Sequence, residues 1–222
     1  MRSPLGLGLL LAAALATPVL AAAPEGGGDA NDLRDIRLGM NVADLPNSGY
    51  TGLTCADMPK DAPGRALESW EDYKRCPAEP SGLRAVGFRY DESANPLAKV
   101  NGLYEGTKVG GHPVVLTLLV GGGGQVDGLI IETDPKARLY LRKKAFLFGD
   151  QVKARYGEEG WNCKQGAPTA DEEPVGGVFI DEHCEKVTPT RRLIFDRELF
   201  RRAGQDIKDF TSHSRLEILK SG

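Results

Sequence analysis

Val114-Val115-Leu116-Thr117-Leu118-Leu119-Val120, then Gly121-Gly122-Gly123-Gly124-Gln125, then Val126-Asp127-Gly128-Leu129-Ile130-Ile131-Glu132-Thr133: this stretch decides how the rest of the chain is read. Branched and aliphatic side chains fill both arms, and four consecutive glycines join them. The pattern predicts an antiparallel hairpin with a long glycine turn. Its near-continuous apolar arms predict a central place in a sheet, with at least one face well buried.

Towards the C-terminus, Asp134 and Pro135 read as the cap and first position of a helix. Leu141, Ala145, Phe148, Val152 and Tyr156 then recur at helical spacing, and Gly157 stands where the helix should stop. Gly149 is a candidate kink. Lys136, Arg138, Arg142, Lys143, Lys144, Lys153 and Arg155 clothe the other sides; a solvated helix is the plain account, an acidic partner or anionic lipid the sharper one. Beyond lie expected strands at 178–180 and 192–195. Asp196 is read as the cap of another helix through Leu199, Phe200, Ala203, Ile207 and Phe210, and 216–219 as a last strand.

Towards the N-terminus, 83–90 reads as a strand, and the proline-rich segment 57–82 as a loop holding a short helix near 66–73. Residues 36–40 open the folded part. Asn41 caps a short helix that Pro46 ends. Hairpin-like connections dominate, so the expected class is α+β: an antiparallel sheet with helices on one face.

The first residues predict export. Arg2 precedes an unbroken Leu/Gly/Ala run from Leu5 to Leu15, Pro18 breaks it, and Ala21 to Ala23 suit a signal peptidase. Residues 1–21 are therefore expected to be a signal peptide and 22–33 a disordered leader. No cysteine follows the apolar run, so no lipid anchor is expected, and no later stretch suits a membrane span. Removing 1–21 takes away one basic residue, so the formal charge moves from −3 to −4. That balance argues against nucleic acid as a partner.

Four cysteines remain, Cys55, Cys76, Cys163 and Cys184, an even count that suits disulfides in an exported chain. Both members of each neighbouring pair stand 21 residues apart. Both first cysteines follow Gly-x-x-Gly, a large apolar residue and a small polar one: Gly49 to Cys55 and Gly157 to Cys163. Of three pairings, the repeat favours Cys55–Cys76 and Cys163–Cys184. Each bridge removes loop entropy worth roughly 3 kcal/mol. The expected organisation is two tandem helix-loop-strands units, 34–133 and 134–222, each with its own staple. Thiolate zinc binding is not expected, since no close Cys pair exists.

The opening Leu38-Gly39-Met40-Asn41-Val42-Ala43-Asp44-Leu45 resembles the start of small exported α/β domains in which a Gly-Met pair enters the first helix. These include the small lipoprotein of the outer-membrane β-barrel assembly machine and the β-lactamase inhibitor proteins, which carry two such units in tandem. The resemblance implies protein binding through a sheet face or loops, with no individual functional residue carried over.

Chemical signatures are sparse. No nucleophile elbow, phosphate loop, zinc-helix motif or calcium loop occurs. Gly121 to Gly124 joins two strands and does not open a helix, which disfavours an anion cradle. His112, His183 and His213 are isolated, and Ser212-His213-Ser214 is adjacency, not a triad. The carboxylates offer the alternative: Glu132, Asp134, Asp171, Glu172, Asp181 and Glu182 are candidate ligands for a hard cation. The first expectation is a periplasmic or secreted non-enzymatic adaptor that binds another envelope protein and needs no cofactor. A cation- or small-ligand-binding protein comes second, an unrecognised hydrolase third.

Overall fold

A computed structural model describes residues 31–93, 107–206 and 208–221. The expected signal peptide and leader residues 22–30 lie outside the described residues. At the centre is the expected hairpin, β4 (His112–Val120) and β5 (Val126–Thr133). Leu116 faces Ile131 and Leu118 faces Leu129 across it. The remaining strands are β1 (Tyr50–Cys55), β2 (Arg84–Tyr90), β3 (Lys108–Val109), β6 (Asn162–Gln165), β7 (Glu172–Glu173), β8 (Ile180–Val187), β9 (Arg191–Arg202) and β10 (Thr211–Lys220). Eight of them form one antiparallel path in the order β1-β2-β4-β5-β10-β9-β8-β6, with β3 added to β4 and β7 to β9. Two meanders thus meet where β5 pairs with β10.

Alternation places one residue in two on each face of this sheet. One face carries Val86, Phe88, Leu116, Leu118, Leu129, Ile131, Leu216, Ile218, Leu193 and Phe195, all buried in a single cluster. The helices pack on this side: η1 (Val42–Asp44) and η2 (Trp70–Arg75), both 3-10, then α1 (Leu139–Arg142), the 3-10 turn η3 (Ala145–Leu147) and α2 (Phe148–Tyr156). Val42, Trp70, Tyr73, Phe148 and Val152 join the same cluster. Trp70 meets Phe88 and Tyr50 edge-on, with centroids 5.3 and 5.4 Å apart. Each such fully buried side chain contributes about 1.5–3 kcal/mol of transfer free energy.

The glycine turn is held from outside. Gly39 N–H donates to Val126 O, Val126 N–H to Met40 O and Val42 N–H to Gly124 O, at 2.7–2.9 Å. Gly124 has φ +83°, and a Cβ there would sit 3.4 Å from Asn41 Oδ1 and Tyr73 Oη. The left-handed conformation asks for glycine at this point, while the space would admit a Cβ in ordinary contact. Asn41 caps η1 as expected, accepting from Ala43 N–H.

Two helices differ from expectation. The helix predicted from Asp134 begins only at Leu139 and breaks at 143–144. Asp134 accepts from Lys136 N–H in a tight turn, while its own N–H donates to Pro113 O, so the chain stays fastened to the end of the β4–β5 ladder. Residues 196–202 of the helix predicted after Asp196 are strand: β9 continues to Arg202, pairing with β10 from Arg191 to Phe200 and with β7 at Arg201 and Arg202, while Ile207 of that prediction lies outside the described residues. Leu193, Phe195, Arg197 and Leu199 keep strand alternation, and pairing with β10 satisfies the backbone more fully than an isolated helix there.

Both expected disulfides are formed, Cys55–Cys76 and Cys163–Cys184. The first ties β1 to the end of η2, and the second joins directly opposed residues of β6 and β8. The 108-residue offset suggested by the cysteines places β2 over β9. The same offset lays helix η2 over strand β8, and β2 is second from its edge of the sheet whereas β9 is third, so offset and structure part company already between the paired cysteines.

The fold takes in residues of the expected disordered leader 22–33. Asp32 and Leu33 are buried. Asp32 Oδ1 accepts from Arg191 Nε at 2.5 Å, Oδ2 from Leu38 N–H, and its carbonyl from Tyr156 and Arg155. The Asp32 side chain is 1% exposed and that of Arg191 16%. Removing one partner of so buried a pair leaves an uncompensated charge. Asp32→Ala should therefore lower the unfolding free energy by about 3 kcal/mol in urea denaturation; a loss under about 1 kcal/mol would show that the clasp is dispensable.

Candidate functional site

The other face of the sheet carries no helix among the described residues. Its register lays out rows of side chains that the chain order conceals. Val115 opposes Glu132, Glu132 opposes Arg215, Arg215 opposes Asp196, Asp196 opposes His183, and His183 opposes Lys164. Five neighbouring strands thus present one charged or ionisable residue each. The next row reads Thr117, Ile130, Glu217, Ile194, Glu185 and Asn162. All of these residues are at least partly exposed.

Ion pairs stitch the rows together. His213 Nε2 lies 3.0 Å from Glu132, His183 Nδ1 2.5 Å from Asp196, Arg192 Nε 2.5 Å from Glu185, and Arg215 2.7 Å from Glu217. Such pairs, three across strands and Arg215–Glu217 along β10, each contribute only tenths of a kcal/mol at this exposure. They fix side-chain direction more than they stabilise. Between them Ile130, Ile194 and Val115 remain partly or fully exposed. Gly128 shapes the third row: a Cβ there would approach Leu219 and Leu119 to 2.8 and 2.9 Å. Its absence lets these two leucines close over the backbone between them.

The six candidate cation ligands do not gather. Glu132 is held by His213, Asp134 by the Lys136 amide and Glu172 by the Thr169 amide. Glu182 faces the core, bonded to Arg197 and Gln165. Burial works to raise its carboxyl pKa, yet Arg197 and Gln165 outweigh this and hold it below the ordinary range. Asp171 lies in the loop before β7, and Asp181 projects from β8 as an exposed side chain opposite Glu198. Among the described residues, one group of three ligand-type side chains lies within 4.8 Å, namely Cys163, Glu182 and Cys184. Its two sulfurs are joined to each other, so they offer no thiolate.

The other chemical candidates resolve likewise. In the glycine turn, Gly121 N–H donates to Gln125 O and Gly124 N–H to Gly121 O, so these amides serve the turn itself. Ser214 sits on the core face and donates to Ala145 O, whereas its neighbour His213 lies on the open face. His112 stacks edge-on to Phe148, and burial pushes its pKa down. The sequence contained every residue of the open face, but its rows depend on non-local register, which no local spacing reveals.

Two formed disulfides fit an oxidising compartment. No helix among the described residues is long and apolar enough to cross a membrane. No protein-family model, curated protein or solved structure matches the chain.

The pair His213–Glu132 gives this face a pH signature. Glu132, by its hydrogen bond and charge, raises the His213 pKa, and His213 lowers that of Glu132. The histidine contribution is complete below its ordinary value of 6.5 and fades as pH rises through the raised value; the glutamate contribution is complete above 4.5 and fades on acidification. The stability difference between the natural protein and His213→Gln should peak near pH 5.5, at about 0.5 kcal/mol, and shrink by pH 8. Urea melts across this range check it; a difference independent of pH would contradict the pairing.

Proposed function

We propose that this chain is an exported, non-enzymatic binding or adaptor protein that engages another envelope protein through the open face of its sheet. The observation that carries the reading is the breadth of that face: antiparallel strands side by side, uncovered by any described helix, with fixed charges interleaved with the partly exposed side chains of Ile130, Ile194 and Val115. Protein interfaces combine such partly exposed apolar groups with a polar, directionally set surround. Glu132, Asp181, Glu185, Asp196, Glu198 and Glu217 stand against Arg89, Lys164, Arg192 and Arg215 on this face. A partner with a modest surplus of Lys and Arg fits that balance.

The resemblance of 38–45 to small exported adaptor domains supports the same reading. So does the mirrored strand order: each half has a helix, η1 or α2, ahead of an edge strand, then three more strands leading to the shared seam. We read the halves as two related units whose sequences have drifted. The expected signal peptide and the formed disulfides support action outside the cytosol.

The test pairs affinity capture with surface variants. The mature protein, immobilised at low salt, should retain a stoichiometric partner from the envelope fraction of its source cells. Asp181→Lys combined with Val115→Ser should weaken retention at least about tenfold while leaving the melting temperature within about 2 °C, because both side chains are exposed on this face. Recovery of the protein alone, or retention unaffected by the variant, would overturn the reading.

A further inference from the structure

A second surface stands apart from the sheet face and does not depend on the reading above. Leu139, Tyr140 and Leu147 are 41%, 53% and 39% exposed. They are half of the six large hydrophobic side chains exposed among the described residues, and they fall within nine positions. Val115, Val178 and Val187, the other three, come from separate strands or loops. The core does not need the three: Ala145, Phe148 and Val152 already supply the buried side of this segment.

Cations surround them. Lys136, Arg138, Lys143 and Lys144 are exposed, and no carboxylate occurs between Asp134 and Asp150. The patch extends onto the loop after β1, where Lys60 lies beside Lys136; that neighbour's hydrogen bond and charge hold the Lys60 ammonium below its usual range. A helix that is merely solvated calls for charges alone. Exposed leucine, tyrosine and lysine alternating within twelve residues suit the boundary between phosphate headgroups and acyl chains, where ammonium groups meet phosphate and apolar side chains meet hydrocarbon.

We propose that residues 136–147 dock this protein, peripherally and reversibly, onto a bilayer of anionic phospholipid. The charge complementarity and the bare apolar tips identify the occupant together. A neutral membrane would answer the leucines but not the lysines, and a bare polyanion the lysines but not the leucines.

Co-sedimentation of the mature protein with phosphatidylglycerol-containing vesicles, against pure phosphatidylcholine vesicles, tests this. Binding should be at least about tenfold tighter to the anionic vesicles and should vanish near 0.5 M salt. Lys143→Gln with Lys144→Gln should weaken it roughly 25-fold. Leu139→Ser with Leu147→Ser should also weaken it, with an unchanged melt because both side chains are on the surface. Failure to bind anionic vesicles, or equal binding to both kinds, would overturn the proposal. So would equally tight binding to heparin that ignores the leucine variant, since that marks a polyanion site instead of a membrane surface.

Discussion

Pairing of β5 with β10 is the constraint on which the architecture rests. On the core side of this seam Leu129 opposes Ile218 and Ile131 opposes Leu216, each at most 2% exposed. One end of the seam is closed by polar groups: Ser214 N–H donates to Thr133 Oγ1, Thr133 Oγ1–H to Ser214 O, and Ser214 Oγ–H to Ala145 O. Without the seam each meander would expose an edge of unpaired backbone and half a core. The Asp32–Arg191 pair makes a second, independent link, because it fastens the segment ahead of η1 to β9.

A single seamed sheet with helices on one side leaves the other side for water or for a partner. Strand alternation then does two things at once. It sends Leu216 and Ile218 inward, and it sends Arg215 and Glu217 outward into rows with Glu132, Asp196, Ile130 and Ile194. The ladder of ion pairs holds those outward side chains in defined directions. Because the face is pre-set by the same register that builds the core, its shape is as rigid as the fold. Rigid presentation reduces the ordering entropy lost on binding, which is the property expected of an adaptor surface.

How much of this is legible in the sequence depends on the range of the interaction. The hairpin 114–133 was readable because its arms and turn are contiguous. The disulfide pairing was readable from equal spacing, and the Asn41 cap from one local motif. The strand 196–202 was not, since Leu199, Phe200 and Ala203 also match a helical spacing and only β10, at 211–220, resolves the choice. Asp134-Pro135 imitates a helix start, but the bond from the Asp134 amide to Pro113 O keeps the chain on the sheet. The carboxylates were visible as candidates. That each has its own cationic or amide partner, or stands alone on a different element, is a property of the register.

The seam makes a direct demand on unfolding. Trp70 lies buried in the first half, and Trp161 packs half-buried against the core in the second. Trp70→Phe and Trp161→Phe each leave one fluorescent reporter, so urea denaturation of the two variants, disulfides intact and corrected for any change in stability, follows the halves separately. Coincident transitions with equal m-values mean one cooperative sheet and are the predicted result. Two separated midpoints, with Trp70 and Trp161 melting independently, would contradict it.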